Sequence, residues 1–262
     1  MEIIAKISKG SKMDQVYIPK NRPGLEAGSY VIIKQIEQKE TKPEIKRPFF
    51  YGLKAIEPIK LEIITKIFSL IRNHIKGYDN IIIGGSFLNP GFQFNDLDIL
   101  IITENKFNER LLKESIESAI GIKSHLIALS NKELQIGLST DPLYILMLSN
   151  CISLKRLIYH IKRKINYKIL DLHLLKSEPL IYNFDITYGE EKYYLIRNLV
   201  AINLFIENKK LTRKSIEQEI TRIFNLQSIN DIKGNLLDKK RFLSIYKKIY
   251  EKTQKKVFSF IK

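Results

Sequence analysis

Two carboxylates placed two residues apart at the head of an apolar run are the feature of this 262-residue chain most suited to chemistry: Asp96-Leu97-Asp98 leads straight into Ile99-Leu100-Ile101-Ile102. Such a run predicts a β-strand, whose period of two sends Asp96 and Asp98 to one face and Leu97, Ile99 and Ile101 to the other. Neighbouring unpaired carboxylates repel one another, so the pair is expected to hold a cation. Hard oxygen ligands suit Mg²⁺ or Mn²⁺, ions that also grip phosphates. The alternative is a solvated strand edge, against which the strength of the apolar continuation argues.

Upstream, the apolar run Ile81-Ile82-Ile83 ends in Gly84-Gly85-Ser86. Glycines there let the backbone turn tightly and approach a ligand without a Cβ in the way. A helix beginning near Ser86 would turn free N–H groups and a hydroxyl toward a phosphate chain. The ten-residue spacing from Ser86 to Asp96 is enough for one short helix or loop to return to a neighbouring strand.

The elements that must position these residues are legible on either side. Ile59, Ile63, Ile67 and Leu70 with Ile71 recur at helical spacing after Pro58, with Lys60 and Lys66 largely off that stripe. A helix is expected over about Glu109–Ile120 and a third strand over Lys123–Leu129. Ser139-Thr140-Asp141-Pro142 reads as a helix start, with Asp141 as its cap. Three further helices are expected through Asn198–Phe205, Ile216–Phe224 and Lys239 to the end. The fold class is therefore α+β. Its parts are a small N-terminal β module (1–37), a charged linker carrying Pro43 and Pro48 (38–55), a mixed-sheet core (56–150), and a basic, mainly helical domain (151–262). Phe49-Phe50-Tyr51 is expected to anchor the linker on the core.

The central segment resembles the nucleotidyltransferase superfamily (DNA polymerase beta-like), in particular its minimal archaeal type. In that family an apolar strand, a Gly-Gly/Ser-Ser pair and a spacer lead to Asp-x-Asp on a second strand; Gly84-Gly85-Ser86 and Asp96-Leu97-Asp98 match. The resemblance covers about residues 57–150. It implies that Asp96 and Asp98 bind metal, that Gly84, Gly85 and Ser86 contact the phosphates of a nucleoside triphosphate, and that its α-phosphate is attacked with release of pyrophosphate. The family also places a third carboxylate on the following strand. Here Lys123–Leu129 has none, and His125 stands at about that position. Imidazole can take a proton or bind metal but is no exact substitute for a hard anion. Two functions follow: a metal-dependent nucleotidyltransferase with an RNA, DNA or protein acceptor, or a weak or inactive relative that binds nucleic acid or regulates.

The N-terminal runs Ile4–Gly10, Val16–Lys20 and Gly28–Ile33 are similar to the AbrB type of swapped-hairpin DNA-binding domain, which implies a homodimer formed through this module. Ser29 stands where that family usually has Asp. By the resemblance, Lys6, Lys9, Lys12, Lys20 and Arg22 would meet phosphates.

Composition sets the remaining bounds. The formal charge is +16, and residues 151–262 hold 24 basic and 11 acidic residues, a net of +13. This basic half is where nucleic acid would be attracted, although a lysine-rich solvated surface explains the same count. Lys155-Arg156 and Lys162-Arg163-Lys164, beside Tyr159, His160 and Tyr167, read as a basic helix face, either a nucleic-acid track or simply solvated. Alternation over Ile169–Leu174 predicts a strand with Asp171 and His173 on one face. Tyr193-Tyr194 near Arg197 reads as helix packing. The single cysteine, Cys151, excludes an internal disulfide and a cysteine-based zinc site. The N-terminus has no apolar signal region, and no apolar run approaches the ~18–20 residues of a membrane span, so no membrane contact and a cytoplasmic location are expected.

Overall fold

Isoleucine-rich strands apolar on both faces need helices on both sides, and the chain supplies them. The computed structural model describes residues 7–16, 30–32, 47–92 and 94–261, in two units, Met1–Glu44 and Ile45–Lys262. In the first unit β1 (Ile7–Ser8) pairs antiparallel with β2 (Gln15–Val16). Tyr30–Ile32, in the third run expected as a strand, are not in strand conformation. The rest of the AbrB-like pattern, including Lys6, Lys20, Arg22, Gly28 and Ser29, lies outside the described residues.

The second unit carries a five-stranded mixed sheet made of β3 (Phe49–Tyr51), β4 (Asn80–Gly84), β5 (Leu97–Ile102), β6 (Ser124–Leu129) and β7 (Cys151–Ser153), in the spatial order β3-β7-β4-β5-β6. Only β5 and β6 are parallel; the crossover that parallel pairing requires is α2 (Glu109–Ile120). The expected alternation holds. Ile81, Ile83, Leu97, Ile99 and Ile101 pack on one side with α1 (Pro58–His74) and α2. Ile82, Leu100 and Ile102 pack on the other with α3 (Asn131–Thr140) and the short α4 (Pro142–Leu148).

Two edges differ from expectation. The stretch expected as a linker contributes β3, whose Phe49 and Phe50 stay exposed. Tyr51 is the anchor instead, its hydroxyl accepting from the Leu157 N–H at 2.7 Å. The sheet also extends past residue 150, because Cys151–Ser153 pair with both β3 and β4. The apolar face of α1 is turned from the expected stripe. Ile64, Ile67, Phe68 and Ile71 are buried, and Lys60 is buried with them.

Beyond β7, residues 154–166 run without regular structure, so the basic run expected at helical spacing is extended. Helices follow: α5 (Tyr167–Ser177), α6 (Gly189–Ile206), α7 (Arg213–Phe224), α8 (Asn230–Lys233) and α9 (Lys239–Phe258). The strand expected over Ile169–Leu174 is part of α5. Asn166 caps that helix by accepting from the Ile169 N–H. Its buried side, Leu170, His173, Leu174 and Ser177, has helical spacing, and the exposed Leu172 and Leu175 give the sequence its false alternation. Asp171 and His173 therefore point to different sides. The helices pack around Ile196, Leu199, Ile202, Phe205, Phe242 and Tyr246. No helix among the described residues is long and apolar enough to cross a membrane.

Candidate active site

Three strands bring the expected residues together. In the sheet register Gly84 lies opposite Asp98, and Asp98 opposite His125. Asp98 thus sits at the middle of one row, flanked by the glycine bend and the imidazole. Gly85 has φ +79° and ψ −165°, a region essentially closed to any residue with a Cβ. It lies so close to Asp98 that a Cβ built on it would be 2.1 Å from Asp98 Oδ2. Ser86 opens a single 3₁₀ turn, Ser86–Leu88, rather than a longer helix.

Asp96 precedes β5 and is exposed; Asp98 is partly buried. Burial and the neighbouring Asp96 charge push the Asp98 carboxyl above its usual range, opposed by His125. His125 Nδ1 stands 3.4 Å from Asp98 Oδ1 with much of its ring in solvent. Among the described residues no three His, Cys, Asp or Glu side chains gather to cage a metal ion.

A cleft of about 350 Å³ opens over Gly85, Ser86, Asp96 and Asp98; Gly84 and His125 are not among its lining residues. Gly85, Ser86, Asn89, Asp96 and Asp98 form one wall, and Leu143, Leu146 and Met147 of α4 form its apolar floor. The far wall comes from the helical half: Tyr193, Tyr194 and Arg197 of α6, Arg213 of α7, and Lys233 of α8. The spacing of Tyr193, Tyr194 and Arg197 suggested helix packing, and Tyr193 does belong to the helical core; all three also line the cleft that holds the two aspartates.

Each cation on that wall is braced from behind. Arg213 Nε donates to Glu217 Oε1 at 2.9 Å, and its Nη1 donates to the Asn89 side chain on the opposite wall. The same Glu217 oxygen accepts from the Tyr193 hydroxyl at 2.9 Å; burial, then that carboxylate, raises the phenol pKa. Lys233 pairs with Glu190 at 3.1 Å and lies 4.8 Å from the Tyr193 ring centroid. Arg197 stacks 4.6 Å from the Tyr194 ring centroid and donates to Asn198 Oδ1 at 3.0 Å. Its surroundings are so desolvated that its pKa is lowered. Among the described residues no lysine or arginine forms an ion pair with Asp96 or Asp98, so the cleft is not closed by an internal salt bridge.

The 85–96 connection is held from below by Lys60, whose side chain is fully buried. Its ammonium donates to the Asn89 carbonyl at 2.5 Å, pairs with Glu57 at 3.1 Å, and lies 5.4–5.7 Å from the ring centroids of Phe87, Phe92 and Phe94. Glu57 also accepts from the Gly91 N–H at 2.6 Å. Nothing in the helical spacing of α1 marked Lys60 out.

The other expected residues settle elsewhere. Asp141 caps α4 by accepting from the Leu143 N–H at 2.8 Å. It also meets His173 Nε2 at 3.0 Å, a largely buried pair that ties α4 to α5. Cys151 is buried, and burial pushes its thiol up to about 12, leaving it inert at neutral pH.

No protein-family model matches the chain, and no curated protein matches it by sequence. Among solved structures, the complex of a tri-AMPylated HEPN toxin with an MNT antitoxin from Shewanella oneidensis is similar, with a TM-score of 0.27 and 14% identity over 48% of this chain and 94% of the matched one.

Proposed function

We propose that the protein is a metal-dependent nucleotidyltransferase, moving a nucleoside monophosphate from a nucleoside triphosphate to a hydroxyl of an acceptor. The observation that carries this reading is the division of charge across one cleft: Asp96 and Asp98 on the sheet face Arg197, Arg213 and Lys233 on the helices. A polyphosphate chelated to a divalent cation is negative along its tail and bound to a positive ion at one point. It complements both walls at once.

The donor set fits Mg²⁺ or Mn²⁺. A carboxylate whose proton affinity is raised by burial and by the charge of Asp96, as that of Asp98 is, is relieved by a divalent ion, and Mg²⁺ takes one or two protein carboxylates with the remaining positions left to phosphate oxygens and water. Bound between Asp96 and Asp98, such an ion would supply Lewis-acid polarisation of the α-phosphate and neutralise charge on its oxygens. The chain's own residues do the rest. Arg197, Arg213 and Lys233 bind the β- and γ-phosphates and stabilise the departing pyrophosphate. Gly85 leaves room for Asp98 and for the phosphate tail. The ring of Tyr194, backed by Arg197, offers an exposed face to the nucleoside. The acceptor oxygen forms its bond to the α-phosphorus as the bond to the β-phosphate oxygen breaks, and the acceptor proton passes to a base. His125 is the only imidazole at Asp98 among the described residues, so it is the group offered for that proton.

A second reading rests on the same histidine. With no third carboxylate beside Asp98 among the described residues, the cleft can bind nucleotide and metal without turnover, and the protein then acts by binding.

Thermal unfolding with MgCl₂ and each nucleoside triphosphate tests the binding half. The parent is expected to gain melting temperature with both together by linkage. Combined Asp96→Asn and Asp98→Asn, or Arg197→Met, is expected to remove most of that gain. No gain in the parent with any triphosphate overturns the proposal. Transfer of label from [α-³²P] triphosphates to components of a cell extract then separates turnover from binding.

A further inference from the structure

The basic run that leaves β7 lies along α3 and forms a second cavity, of about 480 Å³, on the outer side of that helix. We propose that this groove binds single-stranded nucleic acid. Lys132 on α3 and His160, Lys162 and Lys164 on the extended segment line it, with no acid in the lining. All four side chains are exposed. The nearest acid on α3, Glu133, is turned away into the capping box with Ser130.

The extended segment is arranged to present charge on one side. Leu157 and Tyr159 pack into the sheet's outer core, and Arg163 turns inward to the Leu204 carbonyl at 3.3 Å, its guanidinium 5.4 Å from the Phe205 ring centroid. Ile158, His160, Ile161, Lys162 and Lys164 are exposed, and all five line the groove. Residues two apart in a chain lie at most ~7 Å from one another, a step close to one nucleotide of an extended strand, so Lys162 and Lys164 can meet neighbouring phosphates. Among the described residues no backbone–backbone hydrogen bond involves Ile158–Arg163, which leaves their N–H groups to donate to the same oxygens. Ile136 and Ile158, 52% and 67% exposed, give apolar contact for base faces.

A cavity of about 480 Å³ is too small for a duplex. Lys162 and Lys164, with Lys132 facing them from α3 and no acid in the lining, suit a phosphate backbone, which carries a charge at every unit. An acidic peptide would need a carboxylate at every other position to do the same. Ser139 of the groove and Leu143 of the cleft floor are near one another in the chain. The site shares no lining residue with the cleft and does not depend on the transfer reading.

Fluorescence anisotropy of the full chain with labelled 12-nucleotide oligo(U) RNA, oligo(dT) DNA and an acidic dodecapeptide tests this. At least one oligonucleotide is expected to bind. If three lysines meet phosphates, affinity should fall about 20-fold between about 50 and 200 mM salt. Lys162→Ala with Lys164→Ala should weaken binding roughly fivefold or more at low salt and remove about 1.4 from the logarithmic salt slope. Asp96→Asn with Asp98→Asn should leave binding unchanged. The RNA and DNA arms identify the preferred strand. Absence of binding at low salt, parental affinity and slope in the lysine variant, or tighter binding of the acidic peptide overturns the assignment.

Discussion

Gly85 and Asp98 occupy a space that admits one side chain, not two. The glycine's positive φ turns its missing Cβ onto the carboxylate, and a methyl group there would overlap Asp98 Oδ2 at 2.1 Å. The glycine bend and the Asp-x-Asp strand are thus a single fitted part, although nine residues lie between Ser86 and Asp96.

Gly85→Ala is therefore expected to destabilise the fold by about 1–3 kcal/mol from backbone strain, with further loss from the clash. Denaturant unfolding measures the first effect. Loss of the melting shift with MgCl₂ and triphosphate, disproportionate to the stability change, reads displacement of Asp98.

Asp98 gives a pH signature of its own. Burial and Asp96 raise its carboxyl pKa above the ordinary 3.8, so the folded protein binds this proton more tightly than the unfolded chain. The stability it contributes is full below that ordinary value and is lost as pH rises through the folded pKa. Asp98→Asn is accordingly expected to be more stable than the parent at pH 7 without metal, with the advantage closing toward pH 3. Paired urea titrations across that range check the sign, and added MgCl₂ should favour the parent selectively.

Glu207 titrates in the opposite sense. Hydrogen bonds from Lys209 and then Lys256 lower its carboxyl to about 2, fastening the end of α6 to α9. That stability is present above the ordinary 4.5 and disappears as pH falls toward about 2. Glu207→Gln should lower the melting temperature at neutral pH, and the gap between parent and variant should close in that acid window.

Lys60→Met tests the support beneath the site. Removing the ammonium leaves the Asn89 carbonyl and Glu57 without their partner, at a cost of about 1–3 kcal/mol. Because Asn89 also receives Arg213, nucleotide affinity should fall as well. Denaturant unfolding combined with the triphosphate-dependent melting shift reads both.

The sheet wall of the cleft was legible in the sequence because its signals are local: a period of two across Asp96–Ile102 and glycines at a strand end. The helical wall was not. Tyr193, Arg197, Arg213 and Lys233 come from three helices, and each alone has the look of ordinary helix surface or packing. Only the tertiary arrangement brings them opposite Asp98. Lys60 escaped for a related reason: α1 is rotated so that a residue expected in solvent enters the core, and what makes that tolerable, Glu57, Asn89 and three phenylalanines, lies partly some thirty residues away. Over Ile169–Leu174, exposed leucines imitated a strand, while Asn166, a helix cap, held the correct signal.

The sheet order carries a practical consequence for dissecting the molecule. Because β7 and β3 cover the flank of β4, excising residues 56–150 would strip Ile82 and Ile83 of their pairing on that side and leave an apolar edge open to self-association. A fragment that keeps this edge covered must begin ahead of Phe49 and run past Ser153. The sheet that carries Asp96 and Asp98 is thus stitched shut by chain from both sides of its own core segment.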